Sequence, residues 1–90
     1  MSKIIITVVG KDRVGIVSRS CNYLAANNIN ILDITQTILK DYFNMMMIVD
    51  ISKSPKSFDD IAKELERVGK DIGVSIHCQR EEIFTSMHRI

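Results

Sequence analysis

The chain has little of what would mark special chemistry. Cysteine occurs twice, at Cys21 and Cys78. The two are too far apart for a C-x-x-C pair, so no redox motif or zinc ribbon is indicated. Two buried thiols in a reducing compartment are expected instead. Neither sign of charge dominates: 12 Lys and Arg face 11 Asp and Glu, for a net +1. Nothing in that balance marks a binder of polyanions. The longest apolar run, IIITVV from Ile4 to Val9, is far short of the ~20 residues that span a bilayer. The start reads Met-Ser-Lys and passes directly into a strand pattern, without a separate apolar segment or a small-residue cleavage site. That pattern predicts a cytoplasmic protein with no membrane partner. Aromatic residues number five, three Phe and two Tyr.

What is present reads as one domain of 90 residues. A domain of this size buries about 60–65% of the surface its unfolded chain exposes, enough for one core. Lys3 to Val9 is β-branched almost throughout and predicts a strand apolar on both faces. Asp12 to Asn27 predicts a helix, with Val14, Val17, Cys21, Leu24 and Asn28 as its stripe and Asp12 as N-cap. The Asn pair at 27–28 suits a helix stop, since Asn tolerates the left-handed conformation. Asn30 to Lys40 predicts a second strand, with Leu32, Ile34 and Ile38 on one face and Asp33, Thr35 and Thr37 on the other. After a turn at Lys40 and Asp41, Tyr42 to Ser52 predicts a third strand. Its inner face carries Phe43, Met45, Met47, Val49 and Ile51. The sole proline, Pro55, sits in the loop SKSPKS. Ser57 and Asp60 then resemble a capping box ahead of the stripe Phe58, Ile61, Leu65, Val68 and Ile72. Gly73 ends that helix, and Val74 to Arg80 alternates as a last strand. Ile83, Met87 and Ile90 fall at helical spacing and predict a short terminal helix in the tail, 81–90.

The order β-α-β-β-α-β predicts an α+β, ferredoxin-like sandwich. Right-handed crossovers give a four-stranded antiparallel sheet with both helices on one face. Strands one and three lie centrally, and strands two and four are edges. The second sheet face is also apolar, since strand three sets Met46 and Ile48 opposite Met45 and Met47. A wet face should alternate, so the tail or a partner's sheet is expected to cover it.

The glycine-bracketed loop VVGKDRVGI is the chief candidate site. Gly10 and Gly15 have the spacing of a phosphate-binding P-loop, but Ile16 and Val17 follow where Lys and a hydroxyl are needed. GxGxxG is absent, and no thiolate pair is present for a soft metal. What remains is a set of backbone amides at a helix N-terminus, which favours an anionic group. Asp12 can accept from a cation, so a zwitterion such as an amino acid suits the loop. The plainer account comes first on the letters alone: Gly10 makes a turn, Asp12 caps and Arg13 is a solvated charge.

VVGKDRVGIVSRSCNYLAANNINILDITQT resembles the opening half of ACT domains. It is most similar to free-standing bacterial ACT proteins related to regulators of glycine cleavage. That family's loop reads D-x-P-G-I, followed by N-I-x-I in the second strand. Asp12, Gly15 and Ile16 match the loop, and Asn30, Ile31 and Asp33 fall in the strand signature. Val14 stands where proline is common, which leaves the loop less rigid. The resemblance implies a non-catalytic regulatory domain with no cofactor and no metal. It further implies a small effector bound at a subunit interface and a homodimer or larger homo-oligomer acting on a regulated protein. The long second strand, an edge, invites pairing with another chain. If two such edges pair antiparallel, the loop residues Gly10, Asp12, Arg13, Val14, Gly15 and Ile16 approach Asn28 and Asn30 of the second copy. Asn28 as a helix cap and Asn30 as a strand start is an equal alternative.

Two other readings of the fold stay open. An acylphosphatase-like hydrolase would use Arg13 with Asn44 or Asn30, though the loop is a poor match. An RNA-recognition module would need aromatic side chains on strands one and three. Strand one has none and strand three offers only Tyr42 and Phe43, so no nucleic-acid partner is expected. Met45, Met46 and Met47 alternate in direction along a strand and cannot chelate one ion.

Overall fold

The computed structural model describes residues 2–11 and 14–81, without the side chain of Leu39. The expected six elements are there in the expected order. They are β1 (Lys3–Lys11), α1 (Ile16–Ala26), β2 (Asn30–Leu39), β3 (Tyr42–Asp50), α2 (Phe58–Ile72) and β4 (Val74–Arg80). All pairings are antiparallel, and the sheet order is β2-β3-β1-β4. The terminal helix expected from Ile83, Met87 and Ile90 lies outside the described residues.

Alternation along the strands builds the core. Ile4, Ile6 and Val8 of β1, Phe43, Met45, Met47 and Val49 of β3, and Val74 and Ile76 of β4 are buried in one cluster. Ile16 and Leu24 of α1 and Ile61 and Leu65 of α2 belong to the same cluster, so both helices cover one sheet face. Each such side chain contributes about 1.5–3 kcal/mol by leaving water.

The helices differ in how they begin. For α2, Ser57 Oγ accepts from the Asp60 amide at 3.2 Å, and Asp59 and Asp60 sit in the first turn. Gly73, at φ 80°, closes the helix as the sequence predicts. For α1 the sequence reading needs correction. The N-cap is Gly15, at φ 93°, rather than Asp12, and the helix starts at Ile16. The buried stripe is accordingly Ile16, Ser20 and Leu24. Val14 and Val17 are exposed rather than inward, and Cys21 is half-buried. Ser20 is tolerated inside because its Oγ donates to Ile16 O at 2.8 Å, which leaves no polar atom unpaired.

A second correction concerns β2. The register shifts between Ile31 and Asp33, a bulge at Leu32. Ile31 therefore joins Ile34 and Ile38 on the core-facing row, opposite Val49, Met47 and Phe43, and Leu32 falls outside the ladder.

Candidate functional site

The loop after β1 starts from a strand held on both sides. Gly10 pairs with Phe43 of β3 and Val74 of β4. A Cβ at Gly10 would come within 2.8 Å of Val74 Cγ1 and 3.1 Å of Val74 Cα. Gly10 thus answers to close packing within the sheet. Gly15 answers to a backbone need: its φ of 93° is the left-handed region, while the space around its would-be Cβ is open.

Gly15 O accepts from Arg19 N at 2.8 Å, the first turn of α1, and from Ser18 Oγ at 3.3 Å. The amides before Arg19 have no place in the helical ladder. No described side chain caps them, and the first turn carries no acid. Among the described residues, then, no acid faces the electropositive N-terminus of α1, unlike that of α2. Val14 stands fully exposed beside it, while the Ile16 side chain is buried in the core and brings only its backbone to the loop. Asp12 and Arg13 lie outside the described residues.

Asn28 and Asn30 flank a buried anchor, Ile29, whose amide donates to Leu24 O at 2.9 Å. Asn28 adopts φ 57°, the left-handed stop that the sequence suggests. Both asparagines are exposed. Asn30 pairs with Asp50, which pairs in turn with Lys3, whereas Lys11 and Leu39 both pair with Tyr42. The Gly10–Gly15 turn and the Asn28–Asn30 segment therefore sit at opposite ends of the sheet. The length of β2, about 30 Å at ~3.3 Å per residue, separates them. One chain does not bring them together. Asn44, the residue a hydrolase would use, pairs with Val9 and Thr37 on the face turned away from the helices.

On its helix side, the edge between those ends carries exposed apolar residues. Of the described β2 side chains only Ile31 is even half-buried. Ile34 and Ile38 are 42% and 56% exposed on the helix side of the sheet, where neither helix covers them. The start of the edge has some protection that sequence alone did not reveal. Asp33 Oδ1 accepts from the Ile34 amide at 2.9 Å, and the Leu32 bulge interrupts the ladder beside it.

Two further features were not singled out from the sequence, because their residues come from separate segments. A groove of about 720 Å³ opens at the β1 start, between Lys3, Ser52, Lys56, Phe58 and Arg80. Arg80 lies 4.6 Å over the Phe58 ring there. Nearby, Tyr23 OH donates to Glu64 Oε1 at 2.7 Å, and Lys56 Nζ reaches the same oxygen at 2.6 Å. The Lys56 hydrogen bond, then that from Tyr23, holds the Glu64 carboxyl below its usual range. Burial, then the Glu64 carboxylate, pushes the Tyr23 phenol up. These contacts tie together α1, α2 and the loop from β3 into α2. Burial alone pushes the Cys78 thiol up to about 12. Both cysteines are free and half-buried. No helix among the described residues is long and apolar enough to cross a membrane.

Sheet order, helix placement and the glycine-led turn into α1 define a ferredoxin-like α+β domain. Within that class the ACT domain family model matches residues 2–79, and the chain belongs to the ACT domain family. A UPF0237 protein of Bifidobacterium longum is 61% identical over 90 residues, covering 100% of both chains. An ACT domain protein from Streptococcus pneumoniae is 42% identical and superposes with a TM-score of 0.82, covering 92% of this chain and 93% of that one. A protein assigned as a glycine cleavage system transcriptional repressor shares the fold, with a TM-score of 0.77 at 23% identity. That match covers 88% of this chain and 45% of the other.

Proposed function

We propose that this ACT domain is a non-catalytic regulatory module that binds a small effector, an amino acid in the first instance, between two copies of the chain. The observation that carries the reading is the N-terminus of α1, which no described side chain caps and whose first turn holds no acid. Its free amides are a seat for a carboxylate. Asp12, in the same loop by sequence, supplies a counter-charge for an ammonium. The open apolar edge of β2 supports the second half of the reading. Antiparallel pairing of two β2 strands about a two-fold axis would carry Asn30 of the second copy to the Leu39 end of the first. There it would meet the Gly10–Gly15 turn, with Asn28 beside it. Ile34 and Ile38 of both copies would leave water in the same step. Asn side chains both donate and accept, so they can read either end of a zwitterion. The assignment of a related fold to a repressor of glycine cleavage agrees with an effector of this class. A regulated partner protein would then read the effector as a change in the dimer. Such a change requires that the effector bind the two states unequally.

Thermal shift and equilibrium dialysis across the twenty amino acids test the proposal. At least one should bind to the confirmed dimer, and Asn30→Ala should weaken it. A confirmed dimer that answers to none of them would sink the reading.

A further inference from the structure

The sheet has a second face, turned away from both helices. By register three rows cross it in the strand order β4, β1, β3, β2. The first is Gln79, Ile5, Ile48, Asp33; the second is His77, Thr7, Met46, Thr35; the third is Ser75, Val9, Asn44, Thr37. In these three rows apolar side chains fall only on the two central strands, and both margins are polar. Burial is graded along this stripe. Ile5 is 3% exposed and Ile48 half-buried, but Met46 is 38% and Val9 45% exposed. Ile5 has larger strand neighbours, Ile48 and Gln79, than Val9 has in Asn44 and Ser75, and these account for part of the difference. An exposure of 3% on an outer sheet face is that of a residue with a layer over it. Cover is greatest at the first row, where β4 ends and the chain continues through Glu81.

We propose that the C-terminal segment, residues 82–90, docks on this stripe of its own chain as a short helix over Ile5, Ile48 and Met46. Ile83, Phe84, Met87 and Ile90 are spaced to share one helix side, leaving Glu82, Thr85, Ser86, His88 and Arg89 for solvent. The dimensions agree. The stripe is two strands wide, about 10 Å, and a helix is about 10–12 Å across. Nine helical residues extend about 14 Å, and three rows along a strand span about 14 Å. The entry point agrees as well, since the segment starts within three residues of Gln79, which lies in the first row. A second copy's sheet fits the face less well. It would cover all four strands and desolvate Asp33 at one margin and His77 at the other. A helix this short is marginal in water alone, so its order depends on the docking. The inference stands apart from the effector reading and uses none of its residues.

Photo-crosslinking in the full-length chain tests it directly. A benzoylphenylalanine placed at Phe84 should give an adduct of monomer mass on a denaturing gel, mapping to peptides of β1 or β3. An adduct of twice that mass, an adduct elsewhere, or none at all overturns the proposal. As a second measurement, Met87→Asp in the full chain should raise binding of an apolar dye several-fold or drive assembly beyond the native state. Dye binding and native mass unchanged from the parent would also overturn it, whether or not a tail-deleted chain folds.

Discussion

Gly10 and Gly15 bracket the same loop but are constrained differently, and substitution separates the two. At Gly10 a methyl group meets Val74 backbone as well as side chain, at 3.1 and 2.8 Å. Gly10→Ala should therefore cost about 1–3 kcal/mol of stability as a strand is pushed aside. At Gly15 the space is open and the cost is conformational. Gly15→Ala should lose about 1–2 kcal/mol, with Gly15→Asn losing less because Asn tolerates the left-handed region. Urea unfolding midpoints measure both, and equal losses for Ala and Asn at Gly15 would contradict the backbone account. The Glu64 carboxyl permits a pH test at the same scale. Its folded pKa is lowered by Lys56 and Tyr23. The stabilisation is thus fully present above the ordinary carboxylate value, about 4.3, and is lost as pH falls through the folded pKa. The stability gap between the parent chain and Glu64→Gln should be constant from neutrality down to about pH 5 and close at lower pH. A gap that persists at pH 2 would assign it to packing instead.

Among the elements, β2 is the one whose own chain leaves it unfinished. Its core-side row continues past the reach of the helices as Ile34 and Ile38, both exposed. Replacing both by Lys should change monomer stability by no more than about 0.5 kcal/mol per site, as for other surface positions. The same change should abolish self-association, because four like charges would face one another across the paired edges. Sedimentation velocity with the unfolding curve decides this: a double variant that still dimerises removes β2 from the interface. The strands were legible in the sequence because period-two alternation needs no further information, and Phe43, Met45, Met47 and Val49 fell as read. Helix α1 was not legible to the same degree. Apolar residues lie on more than one of its sides, and the buried Ser20, held by its own hydrogen bond, has no place in an apolar pattern. The Gly15 cap then set the phase that Asp12 had seemed to set. The bulge at Leu32 left no local signal, because it is defined by a partner strand. The groove beside Lys3 and Arg80 escaped for the same reason, being assembled from distant segments.

At the scale of the molecule, the two halves of the candidate site lie about 30 Å apart, the length of β2, so binding and assembly are one equilibrium if the proposed function holds. An effector that contacts both copies stabilises the dimer and not the separated chains, and linkage makes the effect reciprocal. Saturation at 100 times the dissociation constant supplies about 2.7 kcal/mol. For a domain of this length each kcal/mol moves the melting temperature by about 4–8 °C, so the bound dimer should melt roughly 10–20 °C above the free protein. The shift should then depend on protein concentration. Diluted below its own dimerisation constant, the chain should bind the effector more weakly in apparent terms, because part of the binding energy is used to bring two copies together. The Ile34→Lys, Ile38→Lys double variant should show no shift at any concentration while remaining folded. A site held within one chain predicts the opposite on both counts: an apparent affinity independent of dilution, and a melting shift that survives in the double variant. Calorimetric titration at two protein concentrations a hundredfold apart, repeated on the double variant, distinguishes the two arrangements and needs no regulated partner in the cell.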